Sequence, residues 1–374
     1  MTAERSIAIA AGGTAGHVNP ALALAEELRA RGCAVRFFGQ TRRLEGTLVP
    51  QAGFELFPID VTGFDREAPW TLVPAVWHVA SEERRLVRAF KEDPSLRPDA
   101  AVGFGAYIEL PLVRAAARLK IPVALHEQNS VPGLANKLSA RKARLIAITQ
   151  PGVEEAFRGR CGASTRIEAT GNPVRESVLA GDRARGRAAQ GIPEEATLLL
   201  IFGGSLGAKH LNERVAALKE RLLACEGLYV VHSTGRDGYD ATCALLDLSD
   251  AEAERWRVRP YIDDMGDALA ASDLVLSRAG ASSVAEIAAL AVPSVLVPYP
   301  YATADHQTTN ARFLVEAGAA TMWADARIDD EAFAEELLEL VSSPARRAAM
   351  REAARRLGQD RAAQRLADAV LGML

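Results

Sequence analysis

Three strand-to-helix junctions in this chain carry residue types suited to a diphosphate and a sugar. Ile7 to Ala21 reads IAIAAGGTAGHVNPA and Leu199 to Asn212 reads LLIFGGSLGAKHLN, so each apolar run is followed by Gly-Gly-(Thr/Ser)-x-Gly and a helical pattern. Glycine turns ahead of helix N-termini expose backbone N–H groups that suit diphosphates. One such loop alone can equally be a tight turn; a matched pair favours a ligand. Neither fits GxGxxG or GxxxxGK(S/T), which weakens nicotinamide and P-loop readings. The third junction, LVLSRAGASSVAEIAA at 274–289, is more specific. Gly280 turns the chain and Ser282 and Ser283 open a helix with Glu286 in its first turn, where one carboxylate could accept from both hydroxyls of a ribose. Ser283-x-x-Glu286 is also a capping box. Further on, PYPYATADHQTTN at 298–310 gathers Asp305, His306, Gln307 and Asn310, a donor and acceptor set for sugar hydroxyls or an ordinary polar helix start. His17, on the first glycine loop, titrates near neutrality and suits proton transfer, or simply packs on the adjacent helix.

The elements that must position these groups alternate between short β-rich runs and helical patterns, the signature of βαβ units and parallel sheets. Strands are expected at Ser6–Ala11, Ala34–Gly39, Asp99–Phe104, Pro122–His126, Leu145–Thr149, Leu198–Phe202, Leu228–His232, Asp273–Ser277 and Ser294–Pro298. Most are continuous apolar runs, as strands covered on both faces should be. Asn19 as N-cap, Pro20 at the first helical position and Gly32 as C′ residue mark the first helix, leaving Gly12 to His17 on the preceding loop. The repeated glycine unit implies two similar α/β domains, residues 1–174 and 175–354, with a boundary near Gly171 to Arg175. A last helix, at about 355–374, is expected to pack back on the first. In open parallel sheets the ligand crevice lies outside the carboxyl ends of the strands, where the glycine loops fall.

The bulk properties narrow the class. A chain of 374 residues is long for one core. With 49% hydrophobic and 25% charged residues and a net charge of −4, it offers no global electrostatic case for nucleic acid. Cys33, Cys161, Cys225 and Cys243 are scattered without a CxxC pair, so neither a disulfide framework nor a zinc site is expected. No Asp-x-Asp is present to clamp a metal, and the adjacent Asp263 and Asp264 would point apart in an extended segment; no obligatory metal or other cofactor is expected. The opening residues lack a signal-peptide pattern and there is no long apolar stretch, which predicts a cytoplasmic protein that spans no membrane.

Taken in order, GGTAGHVNPALALA, LHEQNSVPGLANK, TGNPVR, FGGSLGA, YIDDM, SRAG…VAEIAA and DHQTTNA resemble the MurG family of glycosyltransferases over essentially the whole chain. The resemblance implies the glycosyltransferase B fold: two Rossmann-like domains facing a cleft, the first binding acceptor and the second the UDP-sugar. It also implies inverting transfer of N-acetylglucosamine from UDP-N-acetylglucosamine to the muramoyl 4-hydroxyl of a polyprenyl-diphosphate-linked muramoylpentapeptide, in peptidoglycan synthesis. His17 would then be the general base and Glu286 the ribose ligand, with uracil against the backbone around Ile262. Ser205, Arg175 and the turn Gly280, Ala281, Ser282, Ser283 would hold the diphosphate, with Arg278 a weaker candidate. Gln307 and His306 would read the sugar hydroxyls, and Thr14, Ala15, Gly16 and Asn129 would complete the donor side. Gly103, Tyr107, His126 and Glu127 are acceptor-side candidates, although Glu127 could instead structure the acceptor loop.

Two segments depart from the family pattern. Ala15 replaces a glycine, tolerable if its φ is negative. In GFGAYIELP at 103–111, Ala106 and Glu109 stand where the resembling sequences read G-x-G-G-Y-V-S-x-P; a carboxylate facing a diphosphate would be repulsive, so either Glu109 points away or the acceptor differs. A lipid-linked acceptor also requires contact with the cytoplasmic face of an anionic membrane. Trp70 to Lys91 combines Trp70, Val73, Val76, Trp77, Leu86 and Phe90 with Arg84, Arg85, Arg88 and Lys91, and Lys137, Arg141, Lys142 and Arg144 form a second basic stretch. Trp77 could equally be core, and Glu82 and Glu83 dilute the positive charge. The alternatives are a transferase with another acceptor, a UDP-sugar 2-epimerase on the same fold, and a non-catalytic nucleotide-sugar-binding scaffold.

Overall fold

The computed structural model describes residues 5–63, 69–203 and 208–374. The chain divides into two compact units, residues 1–175 with 361–374, and residues 176–360. The first holds seven strands, β1 (Ser6–Ala10), β2 (Ala34–Gly39), β3 (Glu55–Pro58), β4 (Ala100–Gly103), β5 (Val123–Glu127), β6 (Leu145–Ile148) and β7 (Arg166–Ala169). The second holds β8 (Thr197–Phe202), β9 (Leu228–Ser233), β10 (Trp256–Arg259), β11 (Leu274–Ser277), β12 (Ser294–Leu296) and β13 (Ala320–Met322). All described ladders are parallel, for example Ile7 opposite Val35 and Ala100, and Leu200 opposite Val231 and Val275.

Each sheet is covered on both faces, which is why its central strands are apolar without alternation. Along β1, Ile7 and Ile9 join one core while Ala8 and Ala10 join another. Leu199 and Ile201 of β8 likewise face one core, and Leu198, Leu200 and Phe202 the other. Strand order is β3-β2-β1-β4-β5-β6-β7 in the first sheet and β10-β9-β8-β11-β12-β13 in the second. The order reverses between β1 and β4 and again between β8 and β11, so each unit has its topological switch point there. The expected two-domain α/β fold is thus present. All nine expected strands form, with ends shifted by a residue or two, while the sequence reading missed β3, β7, β10 and β13.

The helices that matter for the site are α1 (Ala15–Ala30), α2 (Leu72–Glu92), α3 (Glu109–Arg118), α4 (Leu134–Ser139), α5 (Lys209–Ala217), α6 (Ala281–Ala289), α7 (His306–Glu316) and α8 (Ala362–Leu371). Helix α1 begins earlier than its capping residues suggest. Thr14 is the N-cap, and Asn19 and Pro20 lie inside the helix. Pro20 is thus the sixth helical residue, past the N–H groups that lack partners, and it supplies no N–H for the i→i−4 bond to Gly16 O. At the other end, Gly32 takes φ +78°, the left-handed C′ conformation.

Helix α8 completes the first unit. Leu366, Ala367, Val370 and Met373 pack into the same core as Ile7, Val18, Leu22 and Leu28, and Arg31 of α1 holds Asp368 at 2.5 Å. The preceding helix, Pro344–Arg356, stays with the second unit, where Met350 and Ala354 are buried. No described helix is long and apolar enough to cross a membrane. Leu366 is fully buried, so Leu366→Ala should lower the stability of the first unit by about 2–5 kcal/mol. Urea unfolding followed by a probe in that unit measures the loss.

Candidate active site

In the first unit the chemistry sits at the carboxyl ends of β1, β4 and β5. His17 stands in the first turn of α1, one step beyond the loop expected to carry it, because the helix starts at Ala15. Its Nδ1 lies 2.9 Å from Thr14 Oγ1. Burial pushes its pKa down to about 4, so the imidazole is neutral at physiological pH. Ala15 is the first helical residue, outside the positive-φ region, so its methyl is accommodated; Gly16 lies beside it in the same turn.

Three buried glutamates fasten the loops around His17. Glu45 accepts from the N–H groups of Gly13 and Gln40, both at 3.2 Å, and lies so close under Gly12 that a Cβ there would come within 2.5 Å of Oε1. Glu109 is fully buried; its Oε2 accepts from Gly105 N–H at 2.6 Å and its Oε1 pairs with Ser139 Oγ at 3.0 Å. It therefore points beneath the Gly103 to Gly105 loop and away from solvent. Burial raises its pKa to about 8. Glu127 accepts from the N–H groups of Asn129 and Gly133, each at 3.0 Å, and from Asn136 Nδ2 at 2.8 Å. It is an organiser of the 128–133 loop, and burial raises its pKa against the pull of those donors.

His126 is fully buried, with Nε2 3.0 Å from Gly171 O and Nδ1 3.1 Å from Gln128 Nε2. Burial pushes its pKa down to about 4, and its geometry is that of a strut between β5 and the segment that leaves the unit. Tyr107 is half-buried and donates to Gln40 Oε1 at 3.3 Å. Arg175, expected on a diphosphate, is held by Glu26 of α1 through Nε at 3.2 Å and Nη2 at 3.1 Å.

In the second unit the site gathers at the ends of β11 and β12. Gly280 is the N-cap of α6, and no side chain caps that end. Glu286 is therefore in the second turn, not the first, and the Ser283/Glu286 capping box does not form. Its half-buried carboxylate has no partner among the described residues, and burial raises its pKa to about 7. Ser282 Oγ is buried and unpartnered among the described residues, beside first-turn N–H groups that favour an anion.

Gln307 ties the two strand ends together: its Oε1 accepts from Ala279 N–H at 3.1 Å and Tyr299 N–H at 2.9 Å. Among the described residues its Nε2 donates to no partner. His306 opens α7, after Ala304 and Asp305 at φ +54° and +52°, a strained entry of the kind found at ligand sites. Arg278 is buried, paired with Asp325 at 2.5 Å and donating to Val297 O at 3.3 Å, so it supports the framework. His210 of α5 joins this network through Asp325 at 2.8 Å and Asp329 at 3.0 Å. Ile262 is buried in the same core as Ala268 and Leu269. Ser205 lies outside the described residues. Among the described residues no cluster of His, Cys, Asp or Glu is arranged to hold a metal.

Both halves of the chain match one family. The glycosyltransferase family 28 N-terminal domain matches residues 7–148 and the corresponding C-terminal domain residues 198–366. The chain belongs to glycosyltransferase family 28. Within that family it is 36% identical to a protein of Acetivibrio thermocellus (96% of each chain) and 41% identical to one of Chromohalobacter salexigens (96% of this chain, 94% of that one). Both are named UDP-N-acetylglucosamine--N-acetylmuramyl-(pentapeptide) pyrophosphoryl-undecaprenol N-acetylglucosamine transferase. The crystal structure of Acinetobacter baumannii MurG matches with a TM-score of 0.74 at 33% identity, over 98% of this chain and 99% of that one. A UDP-GlcNAc 2-epimerase from Neisseria meningitidis reaches 0.70 at 12% identity, over 98% and 100%, a likeness of fold alone.

Glutamates Glu45 and Glu109 and the Asp325/His210 pair were not legible as site-building residues, because a carboxylate that turns inward onto loop N–H groups or a buried partner has no sequence pattern to mark it. For Glu286 the geometry gives a direct test. A carbon-13 titration of its carboxyl in the unliganded protein should have its midpoint near pH 7, so the group is mostly protonated below that pH and ionised above it. A midpoint in the ordinary carboxylate range would mean that the side chain is solvated.

Proposed function

We propose that this chain transfers N-acetylglucosamine from UDP-N-acetylglucosamine to the muramoyl 4-hydroxyl of undecaprenyl-diphospho-muramoylpentapeptide, inverting the anomeric carbon. The observation that carries the donor half is Glu286, a half-buried carboxylate without a partner among the described residues, beside an uncapped helix N-terminus at a switch point. A ribose diol fits two carboxylate oxygens, and the adjoining diphosphate fits the first-turn N–H groups of α6 with Ser282 and Ser283. The relatives' shared activity supports the acceptor half.

The 4-hydroxyl attacks the anomeric carbon while the bond from that carbon to the UDP oxygen breaks, and UDP leaves with the electron pair. His17 takes the hydroxyl proton. Its neutral imidazole can do so at once, and with Nδ1–H donated to Thr14 the Nε2 lone pair is free for the task. Charge growing on UDP falls to the N-terminus of α6; no protein-bound metal is assigned a part. Gln307 Nε2 and His306 would meet the sugar hydroxyls, holding them beside the strand ends that Gln307 already joins.

Membrane contact is part of the same reading, with the protein peripheral on the cytoplasmic face. Trp70 and Val73 are each 75% exposed and Trp77 61%, and α4 exposes Leu134 and Leu138, whereas Leu86 and Phe90, also expected at this surface, are buried in the core of the unit. Both α2 and α4 pack on α3. Glu83 does not dilute the basic surface, because it is buried against Arg114 at 2.6 Å and faces Arg118 at 3.6 Å. Exposed apolar side chains with Arg84, Arg88, Arg141 and Lys142 nearby in sequence suit an anionic interface.

UDP release with and without a short-chain lipid-linked muramoylpentapeptide, with product mass, tests the reaction; release independent of acceptor would overturn it. His17→Ala should lower kcat by about 100- to 10,000-fold with UDP affinity nearly intact, whereas Glu286→Ala should chiefly weaken UDP binding. Equal loss of UDP affinity in the two variants would defeat that division. Trp77→Glu should cut co-sedimentation with phosphatidylglycerol vesicles by roughly tenfold while leaving turnover of a soluble acceptor unchanged. Undiminished sedimentation would place the membrane contact elsewhere.

A further inference from the structure

Glu109 lies outside the reaction just described, yet it is fully buried and joined to the loop that flanks His17. Its Oε2 holds Gly105 N–H at 2.6 Å and its Oε1 is 3.0 Å from Ser139 Oγ at the end of α4. The loop lies close to the imidazole: a Cβ built on Gly105 would sit 3.4 Å from His17 Cδ2 and 3.5 Å from Nε2. A side chain at that position would just touch the ring edge that carries Nε2, so the Gly105 backbone lies directly behind it. The loop between is bent by two successive left-handed residues, Gly105 at φ +78° and Ala106 at φ +58°. Such a loop keeps its shape only where its surroundings hold it, and the hydrogen bond of Glu109 to Gly105 is placed to do that.

We infer that Glu109 is a positioning residue for His17, acting through Gly105. The inference rests on the assignment of His17 as the base. The ring of a general base must meet its proton within hydrogen-bond reach, and small displacements are costly in rate. Glu109 fixes one wall of the space that the ring occupies, from below and without touching substrate. At neutral pH burial keeps much of Glu109 in the acid form, which glutamine matches in shape. A glutamine can accept from Gly105 N–H and donate to Ser139 Oγ, so Glu109→Gln should preserve the strut, whereas Glu109→Ala removes it.

Acceptor-dependent UDP release should be measured for the full chain carrying Glu109→Ala, Glu109→Gln or Ser139→Ala, each with His17 intact and with His17→Ala. The expected result is a kcat lowered about tenfold by Glu109→Ala, with KM for the donor unchanged and Glu109→Gln within about twofold of the parent. In the His17→Ala background, Glu109→Ala should cost nothing further. Should Glu109→Ala fail to fold, Ser139→Ala, which cuts one of the two anchors, should show the same dependence on His17 at smaller amplitude. An equal loss in both backgrounds, or no loss with His17 present, overturns the positioning role while leaving His17 as base. An undiminished kcat in His17→Ala alone overturns the base assignment, and the inference with it.

Discussion

A strand buried on both faces can offer chemistry only at its ends. In this protein β1, β4, β8 and β11 have no exposed face on which to mount a functional side chain, so the sites are confined to the loops where these strands stop. The reversal of strand order then singles out one pair of loops in each sheet, because crossovers leaving in opposite directions open a gap between neighbouring strand ends. His17 and Gly103 fall beside one gap, and Gly280 beside the other. Which residues could be functional is to that extent decided by connectivity before any side chain is considered.

Loops so placed need anchoring, and the two units anchor theirs with different chemistry. The first uses buried carboxylates: Glu45 on Gly13, Glu109 on Gly105 and Glu127 on Gly133. The second uses amides, with Gln307 on Ala279 and Tyr299, Asn310 on Ala279 O and Asn212 on Thr234 O, together with the Arg278–Asp325 pair, whose charges cancel. Glu286 is the exception there: among the described residues its carboxylate anchors nothing.

The parts of the fold that were legible in the sequence are those on which burial acts most uniformly. Central strands such as Leu198–Phe202 are unbroken apolar runs, and all were found. The four missed strands are the four sheet edges, β3 with ELFP, β7 with RIEA, β10 with WRVR and β13 with ATM. An edge strand pairs on one side only and is short and partly exposed, so its sequence is not pressed toward either strict alternation or an apolar run. Local capping signals misled for a related reason. Asn19-Pro20 and Ser283-x-x-Glu286 each describe a plausible helix start, but both α1 and α6 begin earlier, on Ala15 and Ala281. The glycine turn at a strand end sets where the chain can first curl, and it outranks the cap.

Glu109 shows how a departure from a family pattern can be read once its surroundings are known. Facing outward, its charge would have argued for a different acceptor; facing inward, it is part of the scaffold. Its neighbour Ala106 explains why the two changes belong together. With φ at +58°, Ala106 occupies a conformation that costs an alanine roughly 1–2 kcal/mol and a glycine almost nothing. The resembling sequences carry glycine there and serine at the position of Glu109. A loop that gives up the glycine gains a reason to relax toward another shape, and a buried carboxyl reaching back to Gly105 opposes that relaxation with a hydrogen bond of comparable strength. Ala106 and Glu109 thus meet in one loop: the left-handed alanine strains it, and the hydrogen bond from Gly105 to Glu109 holds it.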